Sequence, residues 1–257
     1  MNVIEAKNLY YRYPDGTVGL DGVSFSIDEG ETFGIVGPNG AGKTTLLLSL
    51  CGLIYPRGSL RVMGKEFTKR NVYELRKDIG LLFHNPDDQL FMSTVFEDVA
   101  FGPKNLGFTK GQIAQSVKES LEEVELSGFE NRSSHHLSFG EKKRVALATI
   151  LAMKPKILLL DEPTSNLDPR SRRHFIDILN RIETTKIVAG HDLEMVLAVS
   201  EKVLIINEGR IVKEGITESI FQDEPLMIDN GLEVPISLNV QRRTRDKTKS
   251  IIHAPVG

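Results

Sequence analysis

Cysteine is almost missing from this 257-residue chain: Cys51 stands alone, which excludes an internal disulfide framework and a cysteine metal cluster. It lies in an apolar run and reads as a small buried residue. No apolar stretch approaches the roughly 18 residues that read as a membrane-spanning helix, so none is expected. The opening residues, MNVIEAKNLYYRY, lack the charged-then-apolar order of a secretory leader, so export is not expected. Neither sign of charge dominates. Lys and Arg total 32 against 35 Asp and Glu, a net charge of −3, which gives no nucleic-acid footprint and no expected nucleic-acid partner. One segment departs from that balance: Gln241 to Ser250, QRRTRDKTKS, holds five basic residues and one acid. It reads either as a solvated, disordered terminus or as a patch drawn to anionic lipid headgroups. Repeats and low-complexity tracts are absent. What remains, 40% apolar and 26% charged, is ordinary for a soluble globular chain with a sizeable core.

The most informative stretch present is GPNGAGKT, Gly37 to Thr44. It has the spacing of a phosphate-binding loop: Gly, four residues, then Gly-Lys-Ser/Thr. Gly37, Gly40 and Gly42 let the backbone fold closely around a phosphate chain, while Pro38, Asn39 and Ala41 complete the loop. Successive N–H groups then form an anion nest. Lys43 can reach the β- and γ-phosphates, and the Thr44 hydroxyl can hold Mg²⁺. An apolar run, Thr32 to Val36, precedes the loop, and a helix-like run, Thr44 to Cys51, follows it. That is the strand–loop–helix context in which phosphate meets a helix N-terminus.

Along the chain, Asn2–Leu9 and Gly22–Ile27 read as strands joined near the turn Pro14-Asp15-Gly16. Leu60–Met63 and Ile79–Phe83 are further strands. A helical middle is expected from about Val95 to Leu126, interrupted at Gly102-Pro103 and at Gly107, with another helix from about Gly140 to Met153. Ile157–Leu160 is a continuous apolar run, as in a strand buried on both faces. Arg170–Ile182 and Leu193–Val199 read as helices, Ile187–Ala189 as a strand. Val203–Asn207 and Arg210–Lys213 flank Glu208-Gly209 as a hairpin. Past Glu224 the pattern decays. Alternating apolar runs and helices indicate an α/β core around a mainly parallel sheet, with two lobes.

Two further segments carry chemistry. Ile157 to Leu160 ends in Asp161-Glu162, which reads either as charge at a loop or helix start, or as a second Mg²⁺-handling strand end. In the second reading Asp161 serves the metal and Glu162 polarises a water. LSFGEKKR, Leu137 to Arg144, contains Ser138 and Glu141 at capping-box spacing, a complete structural explanation. The same helix start is also an anion site. The two uses compete for one hydroxyl.

Taken together, GPNGAGKTT, LSFGEKKR, ILLLDEPTSNLD and the His191-Asp192 pair resemble the nucleotide-binding subunits of ATP-binding cassette (ABC) transporters, from about Val3 to Phe221. The resemblance implies a P-loop cassette with a RecA-like core, an antiparallel β lobe and an α-helical lobe. It implies ATP and Mg²⁺ as cofactors, and two cassettes, identical or homologous, paired head-to-tail around two ATP. By position, Tyr13 would stack on adenine, with Tyr10 and Tyr11 as near alternatives. Lys43, Thr44 and Thr45 would bind phosphates and Mg²⁺, and His191 the γ-phosphate. Ser138 and Gly140 would reach the partner's ATP, and Asp168 would lie in the loop linking the two sites. The cassette would span 1–224, with its helical lobe at about 85–153, and 225–257 would be a basic extension.

A narrower likeness lies in Val72 to Pro103. Asn85-Pro86-Asp87-Asp88-Gln89-Leu90-Phe91, followed by EDVAFGP, resembles the energy-coupling factor group of cobalt, nickel and vitamin importers. That implies a peripheral subunit at the cytoplasmic face of the cell membrane. Its partners would be a membrane scaffold protein, touched through Pro86–Phe91 so that Leu90→Asp would uncouple transport, and a separate substrate-capturing membrane protein. The chain departs from the pattern at His84, where Gln is usual. Mg²⁺ prefers oxygen, so an imidazole there would act through water or not at all. It departs again at Phe139, where Gly is common, and at Glu141, where Gln is common. The rival classes are a soluble cassette acting on nucleic acid or ribosomes, and a regulatory cassette with little hydrolysis. The single phosphate loop and the lack of sustained heptads argue against the first; Glu162 argues against the second, and His84 weakly for it.

Overall fold

The computed structural model describes residues 2–239; the basic segment Gln241–Ser250 lies outside them. Ten strands form two sheets among these residues. β1 (Asn2–Arg12), β2 (Val18–Asp28), β4 (Arg57–Val62) and β5 (Lys65–Glu66) make an antiparallel sheet in the order β2-β1-β4-β5. Its long strands bury about every second residue, as a sheet with one wet face should. β3 (Thr32–Val36), β6 (Ile79–Leu82), β7 (Ile157–Asp161), β8 (Thr185–Gly190), β9 (Lys202–Asn207) and β10 (Arg210–Ile216) form the larger sheet, in the order β10-β9-β3-β8-β7-β6. All its neighbours run parallel except the β9–β10 hairpin.

The apolar run of β7 is buried from end to end because both faces of this sheet are covered. Period two divides its side chains between two cores. Ile157 and Leu159 join Phe33, Ile35, Ile187 and Leu204 beneath the antiparallel sheet and α1 (Lys43–Leu50). Leu158 and Leu160 join Val188, Val203 and Ile205 on the other face. That second core continues into α5 (Phe139–Leu151), α6 (Pro169–Arg181), α7 (Leu193–Val199) and α8 (Thr217–Phe221). It also fills the helical lobe of α3 (Val95–Asn105) and α4 (Lys110–Glu123), both opened by capping boxes at Thr94 and Thr109. α2 (Val72–Arg76) bridges β5 and β6, and α9 (Glu224–Asp229) follows α8.

Three expectations need correction. Gly102-Pro103 does not interrupt α3, because Pro103 falls in the last turn and removes only one late hydrogen bond. The break comes after Asn105. Packing does not stop at residue 224: Met227, Leu232 and Leu238 are buried in the main core. Leu90 does not face outward. It is 5% exposed within the helical-lobe core, whereas its neighbour Phe91 is 58% exposed and meets Phe101 edge-on at 5.1 Å.

Candidate functional site

The phosphate loop leaves the C-terminal end of β3, next to β8 and β9, and enters α1. Its backbone path is fixed by close approach. A Cβ at Gly37 would lie 2.0 Å from the Ile206 carbonyl oxygen. One at Gly42 would lie 2.4 Å from the Gly19 carbonyl oxygen, and Gly42 has φ 109°, which L side chains rarely adopt. Gly42 is also the N-cap of α1, and no side chain caps that helix. Its first N–H groups therefore face the cleft without a competing side-chain acceptor.

Lys43 is buried and folds back over its own loop, donating from Nζ to the carbonyls of Gly37 at 2.8 Å and Pro38 at 3.1 Å. Burial lowers its pKa, and the Glu162 and Asp161 carboxylates oppose that shift. The Thr44 hydroxyl donates to Asp161 Oδ2 at 3.0 Å. Asp161 ends β7 in register with Ala189 of β8 and is itself buried. Burial raises its carboxyl above the usual range, against the pull of the Thr44 hydrogen bond. An anionic oxygen pair poorly supplied with solvent is suited to a small hard cation. Among the described residues no cluster of three or more His, Cys, Asp or Glu could hold a metal alone.

Glu162 follows Asp161 with φ 48°, a left-handed backbone, and donates its N–H to the Ala189 carbonyl at 2.8 Å. That turn aims its carboxylate into the cleft, where Oε2 lies 2.8 Å from His191 Nδ1. His191 sits after β8, its side chain largely exposed, while Glu162 is 14% exposed. A half-dry carboxylate beside an imidazole can accept a proton from water and hold the resulting polarity.

These groups share one cleft of about 520 Å³. Tyr13, Asn39 to Thr45, His84, Asp161, Glu162 and His191 line it. Gly37 and Pro38 line an adjoining depression. Of the three nearby tyrosines only Tyr13 reaches the cleft, with its hydroxyl 2.9 Å from Thr45 Oγ1; Tyr10 and Tyr11 line a different surface. His84 faces the cleft, but its Nδ1 is 3.2 Å from Ser165 Oγ.

Three further expected site residues lie outside this cleft. Ser138 caps α5: its hydroxyl accepts from the Glu141 N–H, while Glu141 Oε2 accepts from the Ser138 N–H and hydroxyl at 2.8 and 2.7 Å. Asp168 caps α6, accepting from the Arg170 and Ser171 N–H groups at 2.9 and 3.1 Å and from the Ser171 hydroxyl. Gly140 lets these two helix starts meet, since a Cβ there would lie 2.9 Å from Ser171 Oγ.

Other groups around the site are not legible in the sequence motifs. Arg172 makes a two-pronged contact to Asp192 at 2.6 Å in each arm, and Thr164 donates to the same carboxylate at 3.0 Å. This ties α6 and the turn after Glu162 to the His191 loop. Lys143, on α5, is fully buried and donates from Nζ to the carbonyls of His84 at 2.5 Å and Glu162 at 3.1 Å. Burial pushes its pKa down to about 8, despite the Asp161 and Glu162 charges. The one local signal for it is its helical spacing from Ala146, Leu147 and Ile150, which places it on a buried stripe.

Known proteins share this chain's sequence pattern and fold. The family model described as ABC transporter matches residues 20–165, more than half of the chain. The energy-coupling factor transporter ATP-binding protein EcfA of Methanocaldococcus jannaschii is 45% identical, over 91% of this chain and 86% of its own length. The chain belongs to the ABC transporter ATP-binding family. ATP binding and hydrolysis come with that membership. Solved structures place the fold in the same family. CbiO1 from Clostridium perfringens, part of the ABC transporter complex cbiONQ, has a TM-score of 0.80 and 33% identity, covering 94% of this chain and 99% of its own. A dimeric ATP-binding cassette in a post-hydrolysis state with ADP and Pi has a TM-score of 0.76 and 26% identity, covering 83% and 98%. Among the described residues no helix is long and apolar enough to cross a membrane.

Proposed function

We propose that this cassette is the ATP-hydrolysing subunit of an energy-coupling factor importer for a transition-metal ion or a vitamin, held peripherally at the cytoplasmic face of the membrane. One observation carries the chemistry: the Thr44–Asp161 and Glu162–His191 pairs flank an uncapped phosphate loop within one cleft. The importer class is supported by relatives named EcfA and by the likeness to CbiO1.

Tyr13 stacks on the adenine, and the phosphates lie on the N–H groups of Asn39 to Thr45. Lys43 leaves its own loop carbonyls for the β- and γ-phosphates. The oxygen donors Thr44 and Asp161 fit Mg²⁺ and would hold it, and the cation would neutralise charge that develops on the phosphates. His84 offers nitrogen, so its link to that cation runs through water. Glu162 orients and deprotonates the attacking water, and His191 holds both the Glu162 carboxylate and the γ-phosphate. Catalysis is positioning and electrostatics.

Ser138 and Gly140 do not line the cleft, which suits head-to-tail pairing with a second cassette, identical or homologous, whose ATP they complete. Asp168 stands at the junction of the two helix starts. A separate groove of about 370 Å³, lined by Leu81, Phe83, Phe91, Phe101 and Met153 with Asp88 at its rim, would seat the membrane scaffold protein. The substrate-capturing membrane protein would join through that scaffold.

Glu162→Gln tests the chemical reading. ATP binding is expected to persist while turnover drops by about 10²- to 10⁴-fold, with an ATP-bound dimer accumulating on a sizing column. Parental turnover would remove Glu162 from this role. Phe91→Asp tests the groove. Substrate uptake by assembled complexes should fall sharply while ATPase activity of the isolated cassette stays parental; normal uptake would clear the groove of any part in docking.

A further inference from the structure

Lys143 is hard to explain as packing. Its side chain is fully buried on α5, among positions otherwise filled by Val145, Ala146, Leu147 and Ile150. An ammonium in that place costs desolvation that a leucine or methionine would not incur. Its hydrogen-bond partners are two backbone carbonyls rather than a carboxylate. One belongs to His84, in the loop that leaves β6; the other belongs to Glu162. Ser165 closes the arrangement, donating its hydroxyl to the same Glu162 carbonyl at 2.8 Å while lying 3.2 Å from His84 Nδ1. Lys143, Glu162, Ser165 and His84 thus form a ring of hydrogen-bonded groups behind the cleft.

The ring acts on a backbone that needs holding. Glu162 has a left-handed φ of 48°, unfavourable for a residue with a side chain. Its carbonyl is held by Lys143 and Ser165, and its N–H by Ala189. Position therefore comes from three elements: β8, the turn after β7, and α5. Only α5 also carries Ser138 and Gly140, three to five residues upstream of Lys143.

We propose that Lys143 is a positioning residue that locks Glu162 and the His84 loop to α5, so that a phosphate seated at the start of α5 is sensed at Glu162. The proposal rests on Glu162 polarising the attacking water and on Ser138 and Gly140 meeting a partner's ATP. It gives each cassette an internal link between the ATP it binds and the ATP it completes for its partner. Lys143 touches no reacting atom; it acts through the Glu162 backbone.

The test uses the full chain with Mg²⁺ and ATP. Lys143→Met keeps length and apolar volume and removes both hydrogen bonds. It should lower kcat by about tenfold or more, as small displacements of a catalytic group do, while KM for ATP stays within about twofold because the phosphate loop is untouched. Lys143→Gln restores a donor and should recover part of kcat. Ser165→Ala breaks the ring without disturbing a buried charge and should give the same split, lower kcat at unchanged KM. It decides the question if Lys143→Met does not fold. A folded Lys143→Met with parental kcat overturns the proposal, as does a parental Ser165→Ala where the lysine variant cannot be read. Glu162→Gln, measured alongside, separates the two levels. Retained turnover there defeats the base assignment itself. An inactive Glu162→Gln beside a parental Lys143→Met defeats only the link.

Discussion

Two helices in this cassette begin at anion-binding motifs, and they begin in opposite ways. α1 starts at Gly42 with no side-chain cap, no acidic residue in its first turn, and Lys43 folded over the loop. α5 starts at Ser138 inside a closed capping box, with the Glu141 carboxylate occupying the position an incoming anion would need. Bonds from Ser138 hold the Glu141 carboxyl below its usual range, so it is ionised near neutral pH. A phosphate approaching α1 meets unpaired N–H groups and a cation. One approaching α5 meets the Glu141 carboxylate, with the Ser138 and Glu141 N–H groups already paired in the capping box. The first end is preorganised for ATP; the second is a stable helix end that becomes an anion site only by exchanging partners. If two cassettes pair as proposed, this contrast predicts that ATP loads on the phosphate loop of its own chain before it meets a second chain's α5.

The sharpest way to break the comparison is to strip α1 of its cation. Lys43→Ala removes charge-assisted contacts to the β- and γ-phosphates, each worth about 1.5–3 kcal/mol. Affinity for ATP with Mg²⁺ should fall by roughly 100-fold or more, read by calorimetry. The fold should persist, since the Lys43 ammonium bonds only to loop carbonyls and its burial is itself unfavourable. Equal affinity in parent and variant would mean the backbone nest alone carries the phosphates, and the contrast between the two helix starts would lose half its basis.

The same contrast explains what is legible in the sequence. The phosphate loop can be read there because a strand, a turn and a helix fix its geometry locally, and Asp161 and Glu162 because an unbroken apolar strand ends in them; that they meet the loop is the work of the sheet, which sets β8 between β3 and β7. The buried β7 and the β9–β10 hairpin follow from an unbroken apolar run and from Glu208-Gly209. Features set by distant packing do not. Nothing local distinguishes Leu90 from Phe91 in a one-turn segment, so the expected outward residue is the buried one. Met227, Leu232 and Leu238 are spaced irregularly, and their burial depends on a surface that other elements build. Lys143 lies within Glu-Lys-Lys-Arg, a run with the look of solvated charge; its helical spacing puts it on a buried stripe, but the carbonyls of His84 and Glu162 that satisfy its ammonium are not adjacent in sequence. Asp168 stands out by its place in a motif, while the structure employs its carboxylate as the cap of α6.

The finest test separates the two members of the α5 cap. Ser138→Ala removes the N-cap hydroxyl and should cost about 1 kcal/mol of stability. Glu141→Ala removes the reciprocal bonds and should cost a similar or smaller amount, seen as a modest fall in Tm for each. Their effects on pairing should diverge. Placed on the Glu162→Gln background, where ATP-bound dimers accumulate, Ser138→Ala should weaken the dimer because a phosphate donor is lost. Glu141→Ala should leave it equal or stronger, because the carboxylate that occupies the helix start is gone while the Ser138 hydroxyl remains free to turn toward phosphate. Sedimentation at matched protein and ATP concentrations reads the difference directly. Equal weakening by both substitutions would mean Glu141 helps to seat the phosphate by holding Ser138 in place. The cap would then be part of the anion site rather than its competitor, and α5 would be as prepared for ATP as α1.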